Sequence, residues 1–281
     1  AGEQTLPWYL EDATRKPGSR QRLKEAWSEV IRHMHALNAF GRLITTHPVE
    51  SARESVAEDV RLDFEMQQTG HGAPTAHHAA RARQGWAAQP AVPVISAESR
   101  YEALEIDPTV TTRDVREAFW SHTLLSGLAG HTYGANGVWQ VNTLERPFGA
   151  SPSGRCWGNT PLEEAMQLPG ARQLGLAKDF LATLDWATFE PRHAPTGRLE
   201  TFLAAHPRLR KLMFRLGWRP MPPAPMALAF SRDGTQALAY TVIGDAFGID
   251  LRGMQGTPQA RWVDPTCFEA QAATVEVRDG R

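Results

Sequence analysis

Cysteine is scarce in this chain of 281 residues, which contains only Cys156 and Cys267. The two lie far apart in the sequence, and neither belongs to a CxxC pair or has the flanking residues of a catalytic cysteine. A zinc site built on cysteines and a disulfide framework are therefore not indicated. The cysteines leave the redox compartment open, and we make no prediction of the localisation.

An excess of charge of one sign is also lacking. The 30 Lys and Arg residues balance 31 Asp and Glu residues and leave a formal net charge of -1. No basic field therefore points to nucleic acid or to an anionic membrane as a partner. No stretch approaches the roughly 18 consecutive apolar residues that a membrane-spanning helix needs. These absences favour a soluble protein with small, neutral or weakly charged partners.

Three common sequence motifs are missing as well. No GxGxxG or GxxxxGK[ST] follows a predicted strand, which argues against a nucleotide-binding fold. No GxSxG elbow is present, and a serine hydrolase is therefore disfavoured. We predict no cofactor.

What the sequence does contain is an alternation of helix and strand patterns. Residues 21–38 place apolar side chains at helical spacing and predict an amphipathic helix. The β-branched run at 42–48 predicts a buried strand. Three further pairs of a strand and a helix follow: 62–71 with 75–89, 93–99 with 111–127, and 130–140 with 160–186, the last helix interrupted near Pro169 and Gly170.

Such alternation predicts parallel strands with helices outside, either as a doubly wound sheet or as a (β/α)8 barrel. The composition changes after about residue 190, and residues 219–226 hold four prolines, which is typical of a linker. Beyond this segment, a hairpin pattern over 226–242 and strand patterns at 245–251, 260–264 and 273–280 predict a small all-β domain. The predicted domains are therefore residues 1–218 and 219–281.

Polar side chains follow the predicted strands at their carboxyl ends. They are His47, Gln68, His71, Glu98 and the polar residues of 131–140. In a barrel these ends face one side of the molecule, where active sites lie. Glu98 comes directly after an apolar strand, and Glu3 is a second carboxylate near the start of the chain. Glycoside hydrolysis requires two carboxyl groups that face each other across the scissile bond.

Other interpretations of these residues stay open on spacing alone. Glu98 could form a structural ion pair with a neighbour such as Arg100, and Glu3 could be a solvated residue. Because metal-dependent barrel hydrolases take ligands from successive strand ends, His47, His71 and His131 also fit a metal-dependent hydrolase. The acidic ligand expected at the last strand and the HxH pair of a first strand are not found, and we predict no metal site.

Aromatic residues concentrate near the same strand ends: Trp8, Tyr9, Tyr101, Tyr133, Trp139 and Trp157. Each of them could simply line the top of the core. Together with neutral polar side chains such as Gln68 and Gln140, they also suit sugar rings, which stack on aromatic faces while their hydroxyls form hydrogen bonds. This lining favours carbohydrate over phosphate.

The order of several motifs resembles that of one family, the apiosidase-like glycoside hydrolases, which often carry a C-terminal domain labelled collagen-binding. The motifs are AGEQTLPWYL, ITTHP, LDFEMQQTGH, PVISAESRYE, GHTYGANGVWQ and MQLPGARQLG. The resemblance covers essentially the whole chain, because the last 60 or so residues look like the small β domain. The first five of these motifs, linked in one order, are more specific than any of them alone.

The resemblance implies a TIM-barrel glycosidase with its acid/base after the fourth strand and its nucleophile after the seventh. Carried over to this sequence, the acid/base is Glu3 and the nucleophile of a retaining mechanism is Glu98. The family commonly has Asn-Gly-Glu where this chain has Ser96-Ala97-Glu98, which puts the substrate preference in doubt. The predicted substrate-binding residues are His47, Gln68, His71, Tyr101, His131, Tyr133, Gln140 and, as a stacking platform, Trp139.

A chain that opens at the end of the fourth strand would hold only strands five to eight, the C-terminal half of a barrel. We therefore expect an N-terminal half, from the same gene or a separate chain, as a partner besides the carbohydrate substrate. Alone, the chain should be poorly soluble or self-associate, because its sheet edges are open. A non-catalytic carbohydrate-binding half barrel is the alternative if the protein is naturally this short. The sequence does not indicate the sugar or the linkage.

Overall fold

The computed structural model describes residues 19–48, 50–72, 75–106, 108–147, 157–192, 227–242 and 249–275. Within these ranges the helices are α1 (Ser19–Ala36), α2 (Thr75–Ala87), α3 (Thr112–Ser126), α4 (Leu162–Ala165) and α5 (Pro169–Ala182), with short 3-10 turns at Arg53–Ser55 and Trp186–Thr188. The strands are β1 (Glu65–Gln68), β2 (Val94–Glu98), β3 (Gly130–His131), β4 (Phe189–Arg192), β5 (Ala227–Ser231), β6 (Ala237–Tyr240), β7 (Arg261–Val263) and β8 (Ala270–Ala272). The protein thus has the mixed α/β content that the sequence predicts.

The three strands β1, β2 and β3 form a parallel sheet with β2 in the centre. The register places Glu65 beside Val94 and Gln68 beside Glu98, with an irregularity just before the last pair. The carboxyl ends of β1 and β2 therefore lie together, and Glu98 is the last residue of the central strand. A parallel sheet with helical connections confirms the predicted parallel strands for this part of the chain.

The strand predicted at 42–48 is wrong, because this segment does not form a regular strand. This segment runs alongside the sheet, and the Asp63 backbone N–H donates to the Ile44 carbonyl at 2.9 Å. The Ile44 N–H, however, donates to the Asp63 carboxylate at 2.8 Å, and the Thr45 hydroxyl donates to the Phe64 carbonyl at 2.7 Å. Because side chains supply these hydrogen bonds, the segment is extended without forming a strand ladder.

Helix α3 has clear sequence reasons for its bounds. Thr111 and Asp114 form a capping box at its start, in which each side chain accepts from the other residue's backbone N–H. Gly127 follows its last residue with a φ of 54°, the left-handed conformation that favours glycine. The interruption predicted at Pro169 and Gly170 is also confirmed, because these residues begin α5.

The larger hydrophobic core joins α2, α3 and α5 to β4, β5 and β6. Strand β4 pairs antiparallel with β5, and β5 pairs with β6 as the predicted hairpin. The paired strands β4 and β5 come from opposite sides of the predicted linker at 219–226, which lies outside the described residues. The hairpin of β5 and β6 therefore pairs directly with β4, which comes before the predicted linker. The division into two domains stays a prediction.

The C-terminal region differs from its predicted strands. β7 lies within the predicted 260–264 segment, but its partner β8 precedes the predicted 273–280 strand. Residues 249–251 and 273–275 form no strand. Among the described helices, none is long and apolar enough to span a membrane.

Candidate active site

Glu98 occupies the carboxyl end of the central strand, where its side chain is 12% exposed. One histidine faces each of its carboxylate oxygens. His71 Nε2 lies 3.1 Å from Oε1, and His47 Nε2 lies 3.3 Å from Oε2. The structure therefore brings together three of the side chains that the strand-end pattern singled out.

The two histidines decide the ionisation of this carboxyl group. Burial alone raises the pKa of Glu98, because it penalises the charged form. The hydrogen bonds and positive charge offered by His47 and His71 outweigh burial and lower the pKa to about 2. Glu98 is consequently a carboxylate throughout the neutral pH range.

The protonation of His71 follows from its two contacts. Its Nδ1 lies 2.7 Å from the Ser99 carbonyl oxygen, which can only accept, and so Nδ1 carries a proton. Its Nε2 faces the Glu98 carboxylate, which is also an acceptor when ionised. Both contacts are hydrogen bonds only when His71 and Glu98 hold one additional proton between them.

Aromatic rings line one side of this cluster. The Tyr101 ring centroid lies 4.4 Å from that of His71, and the Trp139 ring packs edge-on against Tyr101 at 5.6 Å. The Trp157 ring lies 6.1 Å from His71. A side chain in place of Gly134 would put its Cβ 2.3 Å from the Tyr101 ring, so that only glycine allows this packing. Tyr101 and the exposed Trp139 thus form an aromatic wall beside Glu98.

Tyr133 has a different partner from the predicted sugar. Its hydroxyl donates to Glu102 Oε2 at 2.7 Å, and the Gly170 N–H donates to the same oxygen at 2.9 Å. The Thr112 hydroxyl donates to the other oxygen of Glu102. Burial and the neighbouring carboxylate both raise the pKa of Tyr133. Glu102, which the sequence analysis did not select, therefore ties the first turns of α3 and α5 to the segment after β3.

His131 also lies apart from the contacts of Glu98. Its ring packs between Phe119 at 5.2 Å and His122 at 5.7 Å, and its Nδ1 is buried without a hydrogen-bond partner among the described residues. Burial, with a smaller contribution from the charge of His78, lowers the pKa of His131 to about 3. The ring is therefore neutral at physiological pH.

The remaining predicted residues are placed as follows. Gln68 sits beside Glu98 in the strand register, and Gln140 follows Trp139 through a cis peptide bond. Glu3 lies outside the described residues, as do Trp8 and Tyr9. The substrate-binding roles of these residues stay predictions.

Sequence reasoning missed Ser99, whose carbonyl accepts a hydrogen bond from His71 Nδ1, and Glu102, which binds Tyr133. Both stand within four residues of Glu98, and this proximity was the one available signal. Among the described residues, no group of three or more His, Cys, Asp or Glu side chains is arranged to hold a metal ion.

The family model described as the apiosidase-like catalytic domain matches residues 5–188. No curated protein matches the chain. A solved structure of a glycoside hydrolase family 5 protein from Bacteroides vulgatus ATCC 8482 is similar, with 19% identity and a TM-score of 0.67 over 88% of this chain and 53% of that one. A second structure, described as a glycoside hydrolase, gives 18% identity and a TM-score of 0.67 over 88% of this chain and 54% of that one.

These structural matches establish a similar fold, and this chain spans about half the length of each matched chain. The family match covers more than half of the 281 residues and includes Glu98 and both of its histidines. The chain therefore belongs to the apiosidase-like family of glycoside hydrolases.

Proposed function

We propose that this chain provides the nucleophile of a retaining glycosidase, and that the nucleophile is Glu98. The observation that carries the proposal is a buried carboxylate at the end of a central parallel strand, held between His47 and His71. In parallel α/β folds, reacting side chains lie at this end of the strands. The aromatic wall beside it suits a sugar ring.

The low pKa of Glu98 supports a nucleophile over a general acid. A general acid of a glycosidase must keep its proton near neutral pH, which requires a raised pKa. Glu98 has the opposite shift, to about 2. Its two histidines also fix the orientation of both carboxylate oxygens, so that little reorganisation is needed when one oxygen attacks.

The reaction that we propose has two steps. Glu98 attacks the anomeric carbon and forms a glycosyl ester, while a second carboxylic acid protonates the departing glycosidic oxygen. The conjugate base of this acid then removes a proton from water, which attacks the anomeric carbon and releases Glu98. Glu3 is our candidate for the second group, at the roughly 5 to 5.5 Å that separates the carboxyls of retaining enzymes.

Two other buried carboxyl groups are poor candidates for the acid/base. Both oxygens of Glu102 already accept hydrogen bonds from protein groups. Glu65 lies beside Val94, four residues before Glu98, which corresponds to about 13 Å at 3.3 Å per residue. That distance is too large for a shared glycosidic bond, so Glu3 remains the candidate.

We also propose that the complete site forms in a closed barrel, to which this chain contributes the second half. The apolar patch of α1 supports this, because Val30, Met34 and Leu37 form a stripe at helical spacing that continues to Phe40 and Leu43. The last three of these are 67%, 86% and 72% exposed. Ile31, about 100° around the helix from Val30, packs into a small core. An apolar surface that is buried on one flank and exposed on the other suits a position between two packed layers.

The proposal predicts that Glu98→Gln abolishes hydrolysis while sugar binding persists. The family description makes an aryl apioside the first substrate to test. Loss of the nucleophile should reduce kcat by at least about 10³-fold. The matched control is Glu105→Gln, which removes an exposed carboxyl close by and should leave kcat unchanged.

A second variant identifies the role of the residue. In Glu98→Ala, azide can enter the space of the lost carboxylate and attack the anomeric carbon, which yields a glycosyl azide of inverted configuration. Recovery of this product supports the nucleophile, whereas undiminished hydrolysis by Glu98→Gln contradicts it. Activity that chelators abolish and a divalent metal restores would indicate the metal-dependent alternative.

A further inference from the structure

Glu102 is a second buried carboxylate near the proposed nucleophile, with only 2% of its surface exposed. Its Oε2 accepts from the Tyr133 hydroxyl at 2.7 Å and from the Gly170 N–H at 2.9 Å, and its other oxygen accepts from the Thr112 hydroxyl. All three partners are donors, which matches a carboxylate, since this group only accepts. Thr112 and Gly170 lie in the first turns of α3 and α5, where the helix dipole favours negative charge.

The backbone of Glu102 pairs with the segment that carries the aromatic wall. Its N–H donates to the Gly134 carbonyl at 2.9 Å and its carbonyl accepts from the Asn136 N–H at 2.8 Å, on either side of the bridge to Ala135. The Trp139 N–H donates in turn to the Ala135 carbonyl at 2.9 Å. The turn that presents Trp139 is therefore built on the residues that face Glu102.

Tyr101, the other member of the aromatic wall, depends on the same backbone. It directly precedes Glu102, and a Cβ at Gly134 would lie 2.3 Å from its ring, so the ring rests on this glycine. The Tyr101 ring contacts the His71 ring at 4.4 Å and the Trp139 ring at 5.6 Å between centroids. A displacement of the backbone beside Glu102 would therefore move both rings of the wall.

The side-chain hydrogen bonds of Glu102 hold this backbone against a fixed part of the protein. Burial and Glu102 raise the pKa of Tyr133, so its hydroxyl keeps its proton and donates. A Cβ at Gly170 would lie 3.0 Å from the Tyr133 ring, which places the ring directly against the start of α5. Helix α5 is itself fixed, because Leu174 lies in the larger core. The carboxylate thus joins Tyr133, next to Gly134 in the chain, to α5.

We propose that Glu102 is a positioning residue for the aromatic wall, which holds Tyr101 and Trp139 where a sugar ring stacks on them. It acts through Tyr133 and through the backbone of 134–136, and it does not itself contact the substrate. Tyr133 then supports sugar binding through Glu102 and not by a contact with the sugar. The identity of the ligand rests on the proposed glycosidase function, whereas the placement of the wall is a property of the protein alone.

The proposed nucleophile does not depend on Glu102. Glu98 is placed by β2 and by its contacts with His47 and His71. His71 is held in turn by the Ser99 carbonyl at 2.7 Å. Loss of the hydrogen bonds of Glu102 should therefore weaken sugar binding and leave the chemical step largely intact, which raises KM and changes kcat little.

Glu102→Gln tests this expectation, because an amide offers one acceptor oxygen to the three donors and turns its NH₂ group towards at least one of them. With the aryl apioside, KM should rise by about tenfold, and kcat should change by less than about threefold. A merely structural role would lower the measured kcat, because less enzyme is folded, and would leave KM unchanged. An unchanged KM in Glu102→Gln would overturn the proposal.

Glu65→Gln is the matched control for the loss of a buried carboxylate. Glu65 is 1% exposed and accepts from the Ser51 hydroxyl at 2.6 Å, but it lies at the other end of the parallel sheet. Its replacement should leave KM unchanged. A rise in KM as large as that of Glu102→Gln would contradict a specific role of Glu102.

A double-mutant cycle tests the route through Tyr133. Tyr133→Phe removes the hydroxyl that Glu102 binds and should raise KM by itself. If Tyr133 acts through Glu102, the double variant should have a KM close to that of Glu102→Gln alone. A KM that rises by the product of the two single effects would show that Tyr133 binds the sugar directly and would contradict the route.

A spectroscopic measurement tests the positioning without hydrolysis. In the 281-residue chain labelled with 5-fluorotryptophan, Trp139→Phe assigns the ¹⁹F resonance of Trp139, and Trp262→Phe assigns that of an exposed indole on β7. We expect Glu102→Gln to shift or split the Trp139 resonance by more than its line width and to leave the Trp262 resonance in place. Glu65→Gln should move neither resonance. A Trp139 resonance that stays unchanged in Glu102→Gln would overturn the proposal.

The positioning role and the nucleophile can therefore fail separately. A displaced Trp139 resonance in Glu102→Gln, together with full activity of Glu98→Gln, would support the positioning role and contradict the nucleophile. An unchanged Trp139 resonance, together with an inactive Glu98→Gln, would contradict the positioning role and support the nucleophile.

Discussion

Acidification from pH 7 to pH 4.5 should destabilise this protein through His131. The folded structure keeps the His131 ring neutral, because burial lowers its pKa to about 3 from the usual 6.5. The unfolded chain binds a proton on this ring below pH 6.5, and the folded chain does so only near pH 3. Stability contributed by the neutral ring is therefore complete above pH 6.5 and is lost as the pH falls towards 3.

The magnitude follows from the two pKa values. Between pH 7 and pH 4.5 the loss of stability from His131 is about 2.5 kcal/mol, since the two pKa values differ in their effect over this range by about 1.9 pH units at 1.36 kcal/mol per unit. His122, whose pKa is also well below its usual value through burial, acts in the same direction. The pKa of Glu98 is about 2, so its own contribution is lost mainly below pH 4.5.

Urea unfolding at pH 7 and at pH 4.5 measures this effect. The wild-type free energy of unfolding should fall, and in His131→Phe, which removes the titrating group, the fall should be smaller by about 2.5 kcal/mol. His33→Gln is the matched control, because His33 is exposed on α1. Equal pH dependence in wild type and His131→Phe would refute a neutral, buried His131.

Three further outcomes are expected. His71→Phe keeps a ring beside the aromatic wall but removes one hydrogen-bond donor from Glu98. The acidic limb of the kcat/KM profile should therefore shift to higher pH by about one unit or more. An unchanged acidic limb would mean that His71 does not keep the carboxylate charged. Gly170→Ala should cost about 1–3 kcal/mol in urea unfolding, because its Cβ would lie 2.1 Å from a buried carboxylate oxygen, whereas Gly175→Ala on the same helix meets nothing within 4 Å and should stabilise by roughly 0.5–1 kcal/mol. Met34→Glu with Leu37→Glu should reduce self-association in analytical ultracentrifugation and change the free energy of unfolding by less than about 0.5 kcal/mol. A wild-type chain that is already monomeric and unfolds cooperatively would contradict the proposal that this chain is one half of a closed barrel.

Periodicity predicted the helices well because their signals are local. The predicted helix at 111–127 lies within one residue of α3 at each end, where Thr111, Asp114 and Gly127 form the caps. The predicted strand at 130–140 was too long, because only Gly130 and His131 pair with β2. After them the chain turns, and Ala135 pairs with Glu102 in an isolated bridge. A contact between residues so far apart has no local sequence pattern.

The candidate site could likewise be predicted only in part. The position of Glu98 with His47 and His71 could be predicted, because all three end predicted parallel strands and such ends meet at one edge. The partner of Tyr133 could not, since it depends on a carboxylate 31 residues away that also binds the start of α5.

Trapping the covalent intermediate tests the central claim most directly. The protein is incubated with a 2-deoxy-2-fluoro glycosyl donor that carries a good leaving group, which slows hydrolysis of the glycosyl ester, and its peptides are then mapped by mass spectrometry. We expect one added glycosyl mass on the peptide that contains Glu98, and no addition in Glu98→Gln. A label on another carboxylate, or turnover of the donor to an inverted product without a label, would contradict Glu98 as the nucleophile.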